Sequence, residues 1–204
     1  MGNVYSIHPE NPQKVLIQRA TECLRDGGVI IYPTDTVYGI GCDITQKKAL
    51  ERIVEIKRRN LKKPFSFICK DLKQVGHYAT ITDFAYPILK RFLPGPYTFI
   101  LPANRHLPRL LLGKRKTVGI RIPKHNVPIA LVESLGTPIV STSANTPGGE
   151  IIKKPEELAD VYGNLVDMIL ECGALESEPS TIISLIDDRI EIIREGAGDV
   201  SYFK

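Results

Sequence analysis

Apolar residues along the chain alternate between two spacings, short unbroken runs and stretches where they recur every three or four positions. Residues 11–27 show the second spacing. Val15, Leu16, Ala20, Cys23 and Leu24 fall on one helical face, Asn11 and Pro12 suit the start, and Gly27 suits the stop. VIIY (29–32) reads as a buried strand and PTDTVYGIGCD (33–43) as the loop after it. Residues 46–59 carry Ala49, Leu50, Ile53, Val54 and Ile56 on one helical face. FSFIC (65–69) predicts a strand, 83–93 a helix bent or broken near Pro87, and YTFIL (97–101) and VGIRI (118–122) two more strands. A helix over 128–136, stopped by Gly136, leads to the strand PIV (138–140). A helix over 155–162 and the strands DMILE (167–171), STIISL (180–185) and IEIIR (190–194) follow. The turn DDR (187–189) predicts a hairpin between the last two. Helices that alternate with strands imply an α/β layer structure, and the hairpin makes its sheet mixed.

Composition narrows the picture. At 204 residues and 43% hydrophobic, the chain suits one sizeable core, so a single domain over 1–204 with frayed ends is expected. No run approaches the roughly 18–20 apolar residues of a membrane span, and the start has no apolar signal core. Cys23, Cys42, Cys69 and Cys172 form no C-x-x-C pair, and the four histidines are far apart. That pattern argues against disulfides and a protein-held metal, and for a reducing, cytoplasmic setting. The net charge of +4 suits anionic small molecules or weak nucleic-acid contact without deciding between them.

The candidate chemistry lies in polar segments at strand ends. There is no G-x-x-x-x-G-K-[ST] loop, no G-x-G-x-x-G and no G-x-S-x-G. Thr34, Asp35 and Thr36 follow VIIY; they suit either a turn or a ligand, and Gly39 and Gly41 allow close backbone approach. Lys57, Arg58, Arg59, Lys62 and Lys63 crowd into seven positions. Any one of them suits a helix C-terminus, while five together suit a polyphosphate. Arg121, between Ile120 and Ile122, points to the opposite face of its strand, exposed or facing a cleft that takes a carboxylate. Ser141, Thr142, Ser143 and Asn145 end the strand that begins at Ile139. Their hydroxyls and amide suit a turn, or a ligand beyond the carboxyl end of a strand. Ser180 and Thr181 open a strand, and Arg194 closes one.

Read in order, PTDTVYGIGCD, the K-x-R of Lys57 and Arg59, PGPYTFIL, GIRIP, STSAN, PST and the terminal R-x-G resemble the YrdC-like family, the threonylcarbamoyl-AMP synthases. The resemblance spans about residues 15–198. FSFICKDL and REGAGDV resemble its YciO-type branch. The chain departs from the family pattern at Arg58 and Asn60, which replace the small residue and proline of K-G-R-P. It departs also at Pro147, where Ser is usual, and at Ile68, where many members carry His.

The resemblance implies a twisted mixed sheet around a basic central cavity. It implies a nucleotidyltransferase that joins L-threonine, bicarbonate and ATP into threonylcarbamoyl-AMP with release of pyrophosphate. Magnesium would arrive with ATP and stay bound mainly by its phosphates. Partner proteins would then transfer the threonylcarbamoyl group to tRNA. By position, Lys57 and Arg59 would hold the phosphates, Ser143 and Asn145 would bond to the nucleotide, and Arg194 would close on the phosphates. Thr34, Arg121 and Ser180 would contact the threonine or carbamate end. The alternative is an RNA-binding or ribosome-associated protein that reuses the cavity, supported by the basic stretch 57–63. Against it, the chain lacks a G-x-x-G clamp and an aromatic base-stacking strand.

Overall fold

A computed structural model describes residues 3–58, 65–108, 111 and 116–204. Its elements are β1 (Asn3–Ser6), α1 (Lys14–Arg25), β2 (Ile30–Tyr32), β3 (Gly39–Asp43), α2 (Lys47–Ile56), β4 (Ser66–Ile68), α3 (Leu72–Tyr78) and α4 (Ala85–Phe92). They continue as β5 (Tyr97–Pro102), β6 (Thr117–Arg121), α5 (Asn126–Leu135), β7 (Ile139–Ser143), α6 (Pro155–Tyr162), β8 (Met168–Glu171), β9 (Thr181–Ser184) and β10 (Glu191–Arg194). All ten strands join one mixed sheet in the order β1-β8-β2-β3-β7-β4-β6-β5-β9-β10. The expected hairpin is present as antiparallel β9 and β10, closed by a short 3-10 turn over Ile186–Asp188. Among the described residues no helix is long and apolar enough to cross a membrane.

Strand alternation builds two cores, one per face. Cys42, Val140, Phe67, Ile120, Phe99 and Ile183 stand in register across six adjacent strands. All six are buried in the larger core, which α2, α3, α4 and α6 cover with residues such as Ile53, Val75, Leu89 and Leu158. Each such aliphatic side chain contributes about 1.5–3 kcal/mol when fully buried. Ile30, Tyr32, Ile139 and Ile68 face the other way. There α1 and α5 cover them with Ile17, Leu24, Leu131 and Val132. This second cover stops short. Farther along the same face the sheet presents Ser141, Ser66 and Gly119 in one row. Ser141 and Ser66, with Thr98, border an open cavity there.

Several expectations are corrected. Residues 39–43 form a central strand, not part of a loop. Its glycines answer packing: a Cβ on Gly41 would lie 2.6 Å from Ile139 Cγ2 and 2.8 Å from the Val140 carbonyl. A Cβ on Gly39 would meet the buried Tyr32 ring at 3.1 Å. The close approach allowed by these glycines is that of neighbouring strands and a tyrosine. Helix α1 begins at Lys14, and Asn11 does not cap it. The Asn11 and Glu10 amides instead donate to His8 Nδ1 in the turn before the helix. Pro87 neither bends nor breaks α4, because it is the third residue, in the first turn, where no intrahelical donor is needed. Among the described residues both terminal segments are tied into the fold: β1 pairs with β8, and Phe203 is buried against Phe92, Tyr97 and Phe99. The stops at Gly27 and Gly136 hold, with φ of 83° and 85° in the left-handed region that favours glycine.

Candidate active site

The uncovered half of the second face is the floor of a cavity of about 600 Å³. Strand β7 runs on past Val140 through Ser141 to Ser143, so the hydroxyl cluster is strand, not turn. The buried Tyr32 hydroxyl donates to Ser141 Oγ at 2.6 Å. Burial pushes that phenol well above its ordinary range, so it stays protonated.

Six of the eight residues singled out in the sequence border this one cavity: Thr34, Lys57, Arg121, Ser143, Ser180 and Arg194. Arg59 lies outside the described residues. Asn145 is one hydrogen bond behind the wall, where it borders an adjoining cavity of about 180 Å³.

At one end stands Lys57, which follows α2 as its C-cap. Its ammonium donates to the Ser143 carbonyl at 2.9 Å, to Asn145 Oδ1 at 3.1 Å and to the Tyr162 hydroxyl at 3.4 Å. Ser143 Oγ also donates to Asn145 Oδ1, at 2.7 Å, and Asn145 Nδ2 donates to the Gly149 carbonyl at 3.0 Å. The S-x-N and the lysine therefore form one hydrogen-bonded unit. Next to it Arg58 also borders the cavity and has φ of 44°, an uncommon backbone state for a residue with a side chain.

The other end is built on Arg121, the last residue of β6. Its side chain is only 9% exposed. Nη2 donates to Asp35 Oδ1 at 2.5 Å, Thr36 Oγ1 at 2.8 Å and Thr34 Oγ1 at 3.2 Å. Asp35 Oδ2 accepts the Lys124 amide at 3.1 Å. The carboxylate this arginine meets thus comes from the Thr-Asp-Thr turn of its own chain. Arg121 Nε is buried with no hydrogen-bond partner among the described residues, which leaves a charged donor unsatisfied. The turn reading of 34–36 holds: Thr34 Oγ1 donates to the Val37 carbonyl, and the turn grips the cavity-lining Arg121.

Arg194 closes β10 and donates through Nε and Nη2 to the Ser180 carbonyl, at 3.2 and 2.7 Å. Ser180 Oγ pairs with Thr98 Oγ1 at 2.9 Å. Burial, and then the charge of Arg121, lower the Arg194 pKa below its ordinary value. Three guanidiniums, of Arg58, Arg121 and Arg194, and the Lys57 ammonium border one void, and with Arg121 paired to a carboxylate the remaining positive charge favours a polyanionic occupant. Behind Arg194, Thr181 Oγ1 donates to the Gly198 carbonyl and accepts the Gly196 and Gly198 amides. This ties the REGAG segment to the head of β9. A Cβ on Gly196 would lie 2.2 Å from the Pro179 carbonyl, so that return demands glycine.

Ser66, Thr98 and Tyr162 were missed in the sequence. Ser66 and Thr98 alternate with the core residues Phe67 and Phe99, and that alternation was the available signal. Tyr162 carries no such mark, since at the end of an amphipathic helix it reads as core.

Comparison with known proteins agrees with the fold. The Sua5/YciO/YrdC family model, described as "Telomere recombination", matches residues 22–196. YciO of Escherichia coli is 43% identical over the whole of both chains, and its crystal structure superposes with a TM-score of 0.95. The threonylcarbamoyl-AMP synthase of Chromobacterium violaceum is 37% identical over 89% of this chain and 95% of its own. Sua5 of P. abyssi, solved in complex with L-threonine, matches 95% of this chain and 57% of its own at 29% identity, with a TM-score of 0.87. With the family model matched over residues 22–196 and full-length relatives that share its fold, the chain belongs to the Sua5/YciO/YrdC family.

Proposed function

We propose that the protein is an L-threonylcarbamoyladenylate synthase, which converts L-threonine, bicarbonate and ATP into threonylcarbamoyl-AMP and pyrophosphate. The observation that carries this reading is the division of one cavity between two unlike ends. The Lys57 end offers an ammonium held by Ser143 and Asn145. The Arg121 end offers a largely buried guanidinium that borders the cavity. An ATP triphosphate suits the first and an amino-acid carboxylate the second. Relatives named as synthases, and one solved with L-threonine, support the assignment.

In this reading the amine of threonine takes up carbon dioxide from bicarbonate to form a carbamate. A carbamate oxygen attacks the α-phosphorus, an O–P bond forms, and the bond to the β-phosphate oxygen breaks. Such a transfer rests on positioning and charge neutralisation, not on a protein nucleophile. Lys57 and Arg59 hold the phosphates and the departing pyrophosphate, with Arg194 closing on them from the far wall. Ser143 and Asn145 serve the nucleotide. Arg121, bonded to Thr34, and Ser180 farther along the same cavity orient the threonine and carbamate. Magnesium enters as part of the nucleotide substrate, bound mainly by its phosphates. The product is a mixed anhydride suited to threonylcarbamoyl transfer onto tRNA or another RNA by partner proteins.

The test is isotopic. Incubation with MgATP, L-threonine and 13C-bicarbonate should yield an adenylate that carries the label and the threonine mass. An unlabelled adenylate, or none from folded protein that binds ATP, contradicts the proposal.

A further inference from the structure

Tyr162 stands at the end of α6 and is 2% exposed. Its hydroxyl donates to the Asn145 carbonyl at 2.6 Å and accepts the Asn145 amide at 3.1 Å. The Lys57 ammonium is its third partner, at 3.4 Å. A phenol offers one donor and two acceptor positions, so this hydroxyl is fully used. The geometry has a backbone cause. Asn145 forms a bridge with Ile151, and the bonds of that bridge are made by its flanking residues: Thr146 N to the Glu150 carbonyl, and Ile152 N to the Ala144 carbonyl. The amide and carbonyl of Asn145 itself therefore point away from the bridge, and Tyr162 takes both. With both ends of its peptide frame held, the Asn145 side chain is aimed at Lys57 and Ser143.

We propose that Tyr162 is a positioning residue for the phosphate end of the active site, one hydroxyl that sets the Asn145 turn and the Lys57 ammonium together. The inference rests on the synthase reading for the identity of the ligand. Burial raises the Tyr162 pKa, so the hydroxyl keeps the proton it donates throughout the neutral range. The adjoining cavity of about 180 Å³, bordered by Tyr162, Asn145 and Lys57, leaves this unit without close packing on that side. The phenol supplies the restraint that packing does not.

Tyr162→Phe keeps the ring in its core and removes only the oxygen. The variant should fold, and its Asn145 amide should exchange with deuterium at least about tenfold faster, since it loses its one acceptor there. ATP affinity by calorimetry should fall about tenfold, on the scale of a lost hydrogen bond to a charged group, with L-threonine affinity unchanged. In a Lys57→Met background the same substitution should add little further loss. Unchanged exchange at Asn145, or equal losses for ATP and threonine, would overturn the positioning role while wild-type ATP binding keeps the synthase reading alive. Wild-type protein that binds no ATP overturns both. Tyr162→Leu, which also removes the ring, separates the two effects: it should lower stability well beyond Tyr162→Phe without weakening ATP much further. If ATP affinity instead follows stability across the two variants, the hydroxyl has no special role.

Discussion

Asp35→Asn isolates the pair at the threonine end. The Arg121 and Asp35 side chains are 9% and 10% exposed and meet at 2.5 Å. Asparagine keeps the shape and one acceptor oxygen but removes the charge, so the guanidinium loses its counter-ion while Nε stays unpartnered. Breaking a fully buried pair costs about 3–5 kcal/mol because one charge is stranded. Arg121 borders a cavity that admits water, so about 2–3 kcal/mol is expected here. For a chain of this size that lowers Tm by about 5–10 °C. Urea unfolding at pH 7 measures the loss as a shifted midpoint with unchanged slope. Arg121→Met alone should cost a similar amount, by stranding Asp35 with the Lys124 amide. The double variant should recover at least about 1 kcal/mol of the summed losses. A single-variant loss below about 0.5 kcal/mol, or strict additivity, would refute the view that these two charges stabilise each other.

Three further outcomes are expected. Lys57→Ala and Arg59→Ala should each reduce turnover by at least about tenfold, with Arg58→Ala milder; a larger loss at Arg58 than at Arg59 would mean that the K-x-R register is wrong. Gly41→Ala should destabilise by about 1–3 kcal/mol in denaturant, because its Cβ meets Ile139 and the Val140 carbonyl and neither can retreat from the sheet. His125 caps α5 by accepting the Val127 amide on Nδ1, and burial lowers its pKa from the ordinary 6.5 against the opposing pull of Asp35 and Glu10. The unfolded chain then binds the proton first, so this contribution is present above pH 6.5 and declines as pH falls through 6.5 toward the lower native pKa. His125→Asn, which can still cap, should flatten that part of the stability profile; an unaltered profile would contradict it.

The α/β class, the mixed sheet and most strands were legible because runs such as VIIY bury one apolar residue after another. The strand over 39–43 was not, because its glycines follow from what lies across the sheet, the Tyr32 ring and Ile139, which local sequence does not reveal. Strand β7 was read three residues short for a related reason. Ser141 and Ser143 border a cavity where an ordinary sheet would bury apolar side chains, so the polar pattern imitated a turn. The site was legible through the order of its motifs more than through any single residue. Arg121 stood out as a charge inside an apolar strand, yet its partner Asp35, 86 positions earlier, is visible only in the fold. Tyr162 looks like core in sequence and is core in its ring; only its hydroxyl meets Asn145 and Lys57.

The most direct measurement is pyrophosphate release by the purified protein with MgATP, bicarbonate and L-threonine, repeated with each substrate left out and with other amino acids in place of threonine. The account predicts release that requires bicarbonate and threonine together and that falls in Lys57→Ala. Release indifferent to bicarbonate, or none with any amino acid from folded protein, would contradict it.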